Sequence, residues 1–269
     1  LGYGCMGYFF IIVLPITALI GLIIIPDNER NEGTSFPSFS DLPLILKNNR
    51  PLIRTLLIEF LCSSASSISA VTYIYLAKHV FDLEEISSRI LFLYFFAGLL
   101  VMPLWMKVSY LIGKSKTLFT STILCSLTLA SYLFINTNDA LITLVILTVL
   151  YGIGYGAPFT LTRALMADIV DADELKSKKK RPGLFYSILT TFSKVGAAIA
   201  VGLVYTYLEF NGFKPDQIAS EKIKEILLFV FAFIPMILYF CASLFCIGYE
   251  LTSEKHKEIQ KQLELRNGT

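Results

Sequence analysis

Charge is what this sequence has little of. Asp, Glu, Lys and Arg make up 16% of its 269 residues, against roughly a quarter in soluble domains, so water is not its main solvent. The 23 cations and 21 acids sit in short clusters between apolar runs. No basic stripe with interleaved aromatics is present, so nucleic-acid binding has no support. Histidine occurs twice, His79 at a loop edge and His256 in the tail, and nothing suggests nucleophilic catalysis. The five cysteines, Cys5, Cys62, Cys125, Cys241 and Cys246, lie in apolar runs without CxxC spacing and read as small buried hydrophobes. No metal or cofactor is expected. Residue 1 is Leu, and the first apolar run is too long and too weakly basic at its start for a cleavable signal peptide; the expectation is that the sequence begins inside a longer natural chain.

What is present is apolar length. Hydrophobic residues make up 55% of the chain and mean hydropathy is +0.64, in runs of about 20 residues, enough to cross a bilayer as a helix. Seven spans are predicted, at 3–25, 52–77, 90–106, 118–135, 140–167, 184–208 and 225–249, which makes an all-α polytopic membrane protein. Turn and charge signals separate them: Pro26 to Arg30, Phe36-Pro37, Asn48 to Pro51, Gly113-Lys114, Asn136 to Asp139, Lys178 to Pro182, and Asn211-Gly212. Most cations fall on one side, including Arg30, Arg50, Lys107, Lys114, the run from Lys176 to Arg181, and the tail. The other side holds Lys78, Arg89, Lys214, Lys222 and Lys224. Short cytoplasmic loops retain cations, so the chain is expected to enter from outside and end in the cytoplasm of a cell (inner) membrane protein. The charged tail from Ser253 to Arg266 is expected to be helical and shows no chemistry. An odd number of spans with this polarity matches a twelve-span protein from which five spans have been removed.

Several polar groups sit where they cost energy. Lys194 lies about 15 Å inside its span, where a lone cation costs on the order of 3 kcal/mol. It either faces a central cavity as a substrate- or cation-coupling residue or pairs with a carboxylate on another helix. Glu59 also lies within a span, and an ion pair with Arg54 is the favoured reading. The hydroxyls Ser63, Ser64, Ser66, Ser67, Ser69 and Thr72 line a solute path or bond their own backbone, the commoner outcome. The run Tyr151-Gly-Ile-Gly-Tyr155-Gly-Ala-Pro158 weakens its helix at mid-membrane, as discontinuous helices at transporter sites do, or serves as a packing notch. Arg163, Asp168, Asp171, Asp173 and Glu174 precede the cations from Lys176 to Arg181. They form either a charge network that locks one conformation or an acidic patch holding Mg²⁺ and a diphosphate, as in membrane prenyltransferases. The network is favoured, because no second acidic motif follows on another helix.

The stretch from Met166-Ala-Asp-Ile-Val-Asp171 through Lys180-Arg-Pro-Gly-Leu-Phe-Tyr-Ser187 to Phe192-Ser-Lys194-Val-Gly196 resembles the glycoside-pentoside-hexuronide:cation symporters of the major facilitator superfamily. Their pattern here reads ADxxDxxE, a basic segment, GxxFS or GxxYA, then KxG. Asn49-Arg50-Pro51, Gly113-Lys114, Gly212-Phe213 and Tyr249 to His256 are weaker matches, and Arg163 and Pro182 depart from the pattern. The resemblance implies a twelve-helix transporter of two bundles, here helices six to twelve. On that scheme residues 1–26 are helix six of the N-terminal bundle and 27–50 the cytoplasmic inter-bundle loop. Residues 51–250 are the C-terminal six-helix bundle and 251–269 the cytoplasmic tail. The implied function is symport of a sugar or related small polar solute with Na⁺ or H⁺, without enzymatic chemistry. Lys194, with Tyr155 and Thr191, would serve substrate and cation coupling, and Asp168, Asp171, Glu174, Arg163 and Lys114 the cytoplasmic gate. The partners are then the solute, the coupling cation, the lipid bilayer and the N-terminal helices, where the family's cation-binding aspartates lie. Some relatives of this fold carry lysophospholipids.

Overall fold

The computed structural model describes residues 2–24, 45–46, 49–135, 140–215, 217 and 219–267. Most of the expected inter-bundle loop, and the predicted break from Asn136 to Asp139, lie outside them. The chain divides into two units, residues 1–36 and 37–269. The first holds helix α1, Gly2–Ile24, with Pro15 inside it.

In the second unit α2 spans Arg50–His79, α3 Glu84–Ile112, α4 Lys114–Tyr132, α5 Ala140–Ser177 and α6 Pro182–Phe210. α7, Glu221–Leu228, passes through a π-helical turn at Phe229–Phe233 into α8, Ile234–Cys246, and α9 covers Ser253–Asn267. Local chemistry sets the ends. The Asn49 side chain accepts from the Leu52 amide at 3.1 Å and Pro51 occupies the first turn of α2, a preorganised helix start. Gly212, at φ 81°, closes α6, with the Phe213 amide donating to the Leu208 carbonyl at 3.0 Å. The π turn precedes Pro235, whose nitrogen has no hydrogen to donate.

Among the described residues six helices are long and apolar enough to cross a membrane: α1, α2, α3, α5, α6 and the α7–α8 rod. The prediction of seven spans differs at 118–135. That segment is α4, a helix of 19 residues whose eight serines and threonines lower its hydropathy. All eight hydroxyls donate to main-chain carbonyls. Six bond only within their own chain stretch, from Thr117 to Gly113 through Ser131 to Leu127. Ser115 and Ser126 cross to the carbonyls of Cys246 and Met236 on α8 at 2.7 and 3.1 Å. The helix is therefore polar in composition and satisfied in place.

α5 is one continuous helix of 38 residues, so the glycine run is not a break. Its glycines are notches. A Cβ on Gly152 would collide with the Tyr94 carbonyl of α3, one on Gly154 would lie 2.6 Å from Cys125 Sγ of α4, and one on Gly156 2.6 Å from the Gly98 carbonyl. Small residues let helices approach where lipid supplies no hydrophobic drive. Pro158 leaves the Gly154 carbonyl without its usual donor, and nearby the Trp105 indole donates to the Ile153 carbonyl at 2.7 Å. Gly196 is the matching notch between α6 and α2, where a Cβ would come within 2.8 Å of the Phe60 carbonyl.

The core runs through the middle of the bundle as Ile58, Tyr73, Tyr94, Cys125, Tyr132, Leu161 and Tyr239, while Phe92, Leu99, Leu111 and Phe210 stand exposed outside it. An apolar exterior suits a lipid-facing bundle. Gly152→Ala is expected to lower stability in detergent by about 1–3 kcal/mol. Gly202→Ala, with open space at its Cβ, should stay within about 0.5 kcal/mol. Thermal unfolding of the two variants checks the difference.

Candidate functional site

Because α5 continues past 167, Asp168, Asp171, Asp173 and Glu174 ride on its last turns, and each meets a cationic side chain or an imidazole. Lys114, the first residue of α4, places Nζ 2.6 Å from Asp168 Oδ1 and donates also to the Ala164 carbonyl at 3.2 Å. Asp168 is 3% exposed, where a charge-assisted bond is strong and an unpaired carboxylate costly. His256 Nε2 lies 2.8 Å from Asp171 Oδ2 and 3.3 Å from Asp168 Oδ1. Arg181, just before α6, forks onto Asp173 with Nε to Oδ2 at 2.8 Å and Nη2 to Oδ1 at 3.1 Å. Arg266 holds Glu174 through its carboxylate at 3.0 Å and its main-chain carbonyl at 3.2 Å, and Lys180 Nζ stands 3.7 Å away.

The network joins the end of α5 to α4, α6 and α9. The turn between α8 and α9 is tied down separately. Arg54 donates to the Ile247 and Gly248 carbonyls at 3.1 and 2.6 Å, a favourable place for a cation just past a helix C-terminus. The Tyr249 hydroxyl lies 2.7 Å from Thr55 Oγ1 and donates to the Pro51 carbonyl at 3.4 Å; burial pushes its pKa up. Arg54 is therefore committed elsewhere, and the expected Arg54–Glu59 ion pair is not formed.

Of the residues expected at a gate, Asp168, Asp171, Glu174 and Lys114 come together. Arg163 stands apart, donating to the Phe159 carbonyl at 2.7 Å with its guanidinium 4.3 Å over the Phe159 ring. Two participants were not visible as such in the sequence, His256 and Arg266, both in the tail read as lacking chemistry. The signal lay in spacing. His256, Ile259, Leu263 and Arg266 are the more covered positions of α9 and recur at three- and four-residue steps, one face of a helix. With these partners in place, the acids of α5 do not form an open acidic patch for a divalent ion.

The residues expected to couple solute and cation lie elsewhere. Lys194 is exposed on α6, and among the described residues no hydrogen bond or ion pair reaches it. Tyr186 and Thr190 precede it at four-residue steps and are exposed with it. Thr191 donates to the Ser187 carbonyl at 2.8 Å. Tyr155 sits half-buried on α5 with its ring 5.1 Å from that of Tyr94, and no hydrogen bond joins it to Lys194 or Thr191.

Residues 2–253 match the family described as MFS/sugar transport protein. Similar proteins include an uncharacterized symporter of Synechocystis, 26% identical over 81% of this chain and 44% of that protein. A glucuronide carrier protein homolog of Escherichia coli is 25% identical over 96% of this chain and 57% of its own length. A sodium-dependent lysophosphatidylcholine symporter of Danio rerio is 21% identical over 82% and 42%. The chain spans about half the length of these curated relatives.

Replacing His256 and Arg266 together by Ala is expected to release α9, with amide exchange across 253–267 accelerated at least tenfold and the rest of the bundle unchanged. Exchange mass spectrometry reads this directly. Retained protection would mean that Ile259 and Leu263 hold the helix without the charges.

Proposed function

Since the chain belongs to the MFS/sugar transport protein family, we propose that it is the C-terminal portion, helices six to twelve, of a secondary active transporter. The transporter moves a sugar or related small polar solute together with Na⁺ or H⁺. The observation that carries this is Lys194. A cation inside a membrane-spanning helix, with no partner among the described residues, needs a watery path or an opposing carboxylate, because lipid would cost it on the order of 3 kcal/mol. In a two-bundle carrier the exposed polar side of α6, with Tyr186, Thr190 and Lys194, borders the solute path, and Lys194 with Thr191 and Tyr155 serves the coupling site.

The network at the end of α5 is then the gate on the cytoplasmic side, where positive-inside asymmetry puts the basic loops. Lys114, Asp168, Asp171 and Glu174 hold α4, α5 and α9 together in one conformation. Opening would exchange these pairs for water, which for the buried Asp168 requires that water reach it as Lys114 leaves. Arg163, outside the network, is available to the solute path next to Phe159.

A second reading keeps the mechanism and changes the cargo. The lysophosphatidylcholine symporter among the relatives supports a lipid-type solute, with Lys194 taking a phosphate group and the aliphatic Val195, Ile199 and Leu203 beside it taking a chain.

Proteoliposomes of the full-length protein should accumulate a labelled sugar only under a cation gradient, and Lys194→Ala should reduce that accumulation at least tenfold without lowering the melting temperature. Accumulation of a lysophospholipid in place of the sugar selects the second reading. Undiminished gradient-driven uptake by Lys194→Ala would sink the role given to this residue.

A further inference from the structure

We propose that the cavity at the basic end of the bundle, between the start of α2, the end of α5, the turn into α6 and α9, binds a phosphate-bearing anion. The site is separate from the solute path at Lys194 and goes beyond the transport reading.

The cavity measures about 910 Å³, at the upper end of the roughly 300–1,000 Å³ of small-ligand sites. Ile169 of α5 and Ile259 of α9 give it an apolar wall. Five cations stand around it, Arg50, Lys176, Lys179, Arg181 and Lys255, against the two acids Asp173 and Glu250. The chain turns at Lys178, φ 57°, and Lys176 and Lys179 on either side of that turn both face the cavity.

The two acids do not offset the five cations. Asp173 is taken by the fork of Arg181. Glu250 has Arg50 at 3.9 Å, and the Arg50 side chain is 83% exposed. The ammonium groups of Lys176, Lys179 and Lys255 make no hydrogen bond or ion pair among the described residues. Lys255 lies in the first turn of α9, where the helix dipole disfavours a cation. Elsewhere at this end the cations are engaged: Lys114, His256 and Arg266 hold the acids of α5, and Arg54 holds the carbonyls after α8.

Insertion asymmetry asks only that cations lie on one side of the membrane, where they could be solvated on any loop. Here they converge on one concave wall from α2, α5, the turn before α6 and α9. Cations grouped in this way repel one another and concentrate an anion. A phosphate group, with a charge of about −1.5 to −2 and three acceptor oxygens, meets the excess of cations, whereas a single carboxylate meets only part of it. The Arg50 guanidinium matches phosphate as a planar fork and the lysines as movable point charges. Two sources share this chemistry: the headgroup of an anionic phospholipid, for which basic pockets beside membrane-spanning helices are suited, and a soluble phosphorylated molecule.

The test uses the full-length protein in neutral detergent, with no solute and no gradient. Inorganic pyrophosphate is titrated by calorimetry, and phosphatidylglycerol is compared with phosphatidylcholine by native mass spectrometry. Expected is saturable binding that weakens at least tenfold when Lys176→Gln, Lys179→Gln and Lys255→Gln are combined, and that is unchanged in Lys222→Gln at the opposite end. Pyrophosphate binding with this pattern supports the site and a soluble ligand; phosphatidylglycerol binding without pyrophosphate binding supports the site and a lipid headgroup. Should the triple variant not fold, Lys179→Glu alone, at the exposed turn, must weaken binding instead. Binding of neither probe, or binding that survives these substitutions, overturns the proposal. So does binding that is kept in the triple variant and lost in Lys194→Ala, which places the anion in the solute path. A protein that transports and binds neither probe loses this site alone; one that binds and does not transport loses only the symport reading.

Discussion

A bilayer core offers no water to a polar group, and that constraint orders most of the bundle. Backbone and side-chain polar atoms are driven to find partners inside. α4 shows the consequence at its strongest: eight hydroxyls in 19 residues, all donating to carbonyls, two of them on α8. A helix of that composition is tolerable in a membrane because its hydroxyls are not left to the lipid. The same requirement places the Trp105 indole on the Ile153 carbonyl beside Pro158 and the Tyr132 and Tyr73 hydroxyls on Thr148 at 3.0 and 3.2 Å.

Close helix approach follows from the same absence of water. With no hydrophobic gain in moving from lipid to protein, helices associate through contact and bonding, so the notches of α5 and α6 matter more than their apolar surface. The charges then sort by position. At the basic end the acids of α5 are matched by Lys114, His256, Arg181 and Arg266, which tie it to α4, α6 and α9. Deep in α6, Lys194 makes no hydrogen bond or ion pair among the described residues.

Several elements could be read from residue order alone. Apolar runs of about 20 residues each located a helix, with ends within six positions except at the C-terminus of α5, which runs ten residues past the apolar stretch, because a single helix spanning a bilayer must satisfy its requirements along its own length. Cation asymmetry predicted which helix ends lie together, and Arg54, Lys114 and Arg181 do meet the ends of α8 and α5. The sequence left alternatives open where the answer depended on a neighbour. The helix expected at 118–135 is α4, whose hydroxyls are accommodated by its own carbonyls and by α8. The glycines of 152–156 left a break and a notch both open, and the proximity of α3 and α4 chose the notch.

The candidate sites divide in the same way. Residue types and spacing alone put Asp168, Asp171 and Glu174 on successive turns of α5 and set Lys194 deep in an apolar run, since both depend only on helix period and span length. Partners were decided by the tertiary structure. Arg54 was expected to reach Glu59, five residues along its own helix, but the exposed carbonyls after α8 claim it. His256 and Arg266 come from a tail some 80 to 90 residues beyond their carboxylates, a distance over which no local pattern assigns a partner. Sequence by itself determined which groups must be satisfied; only the packing of α2, α5, α8 and α9 decided which ones are, because a charge is satisfied by what lies within about 3 Å of it and not by what is near it in the chain.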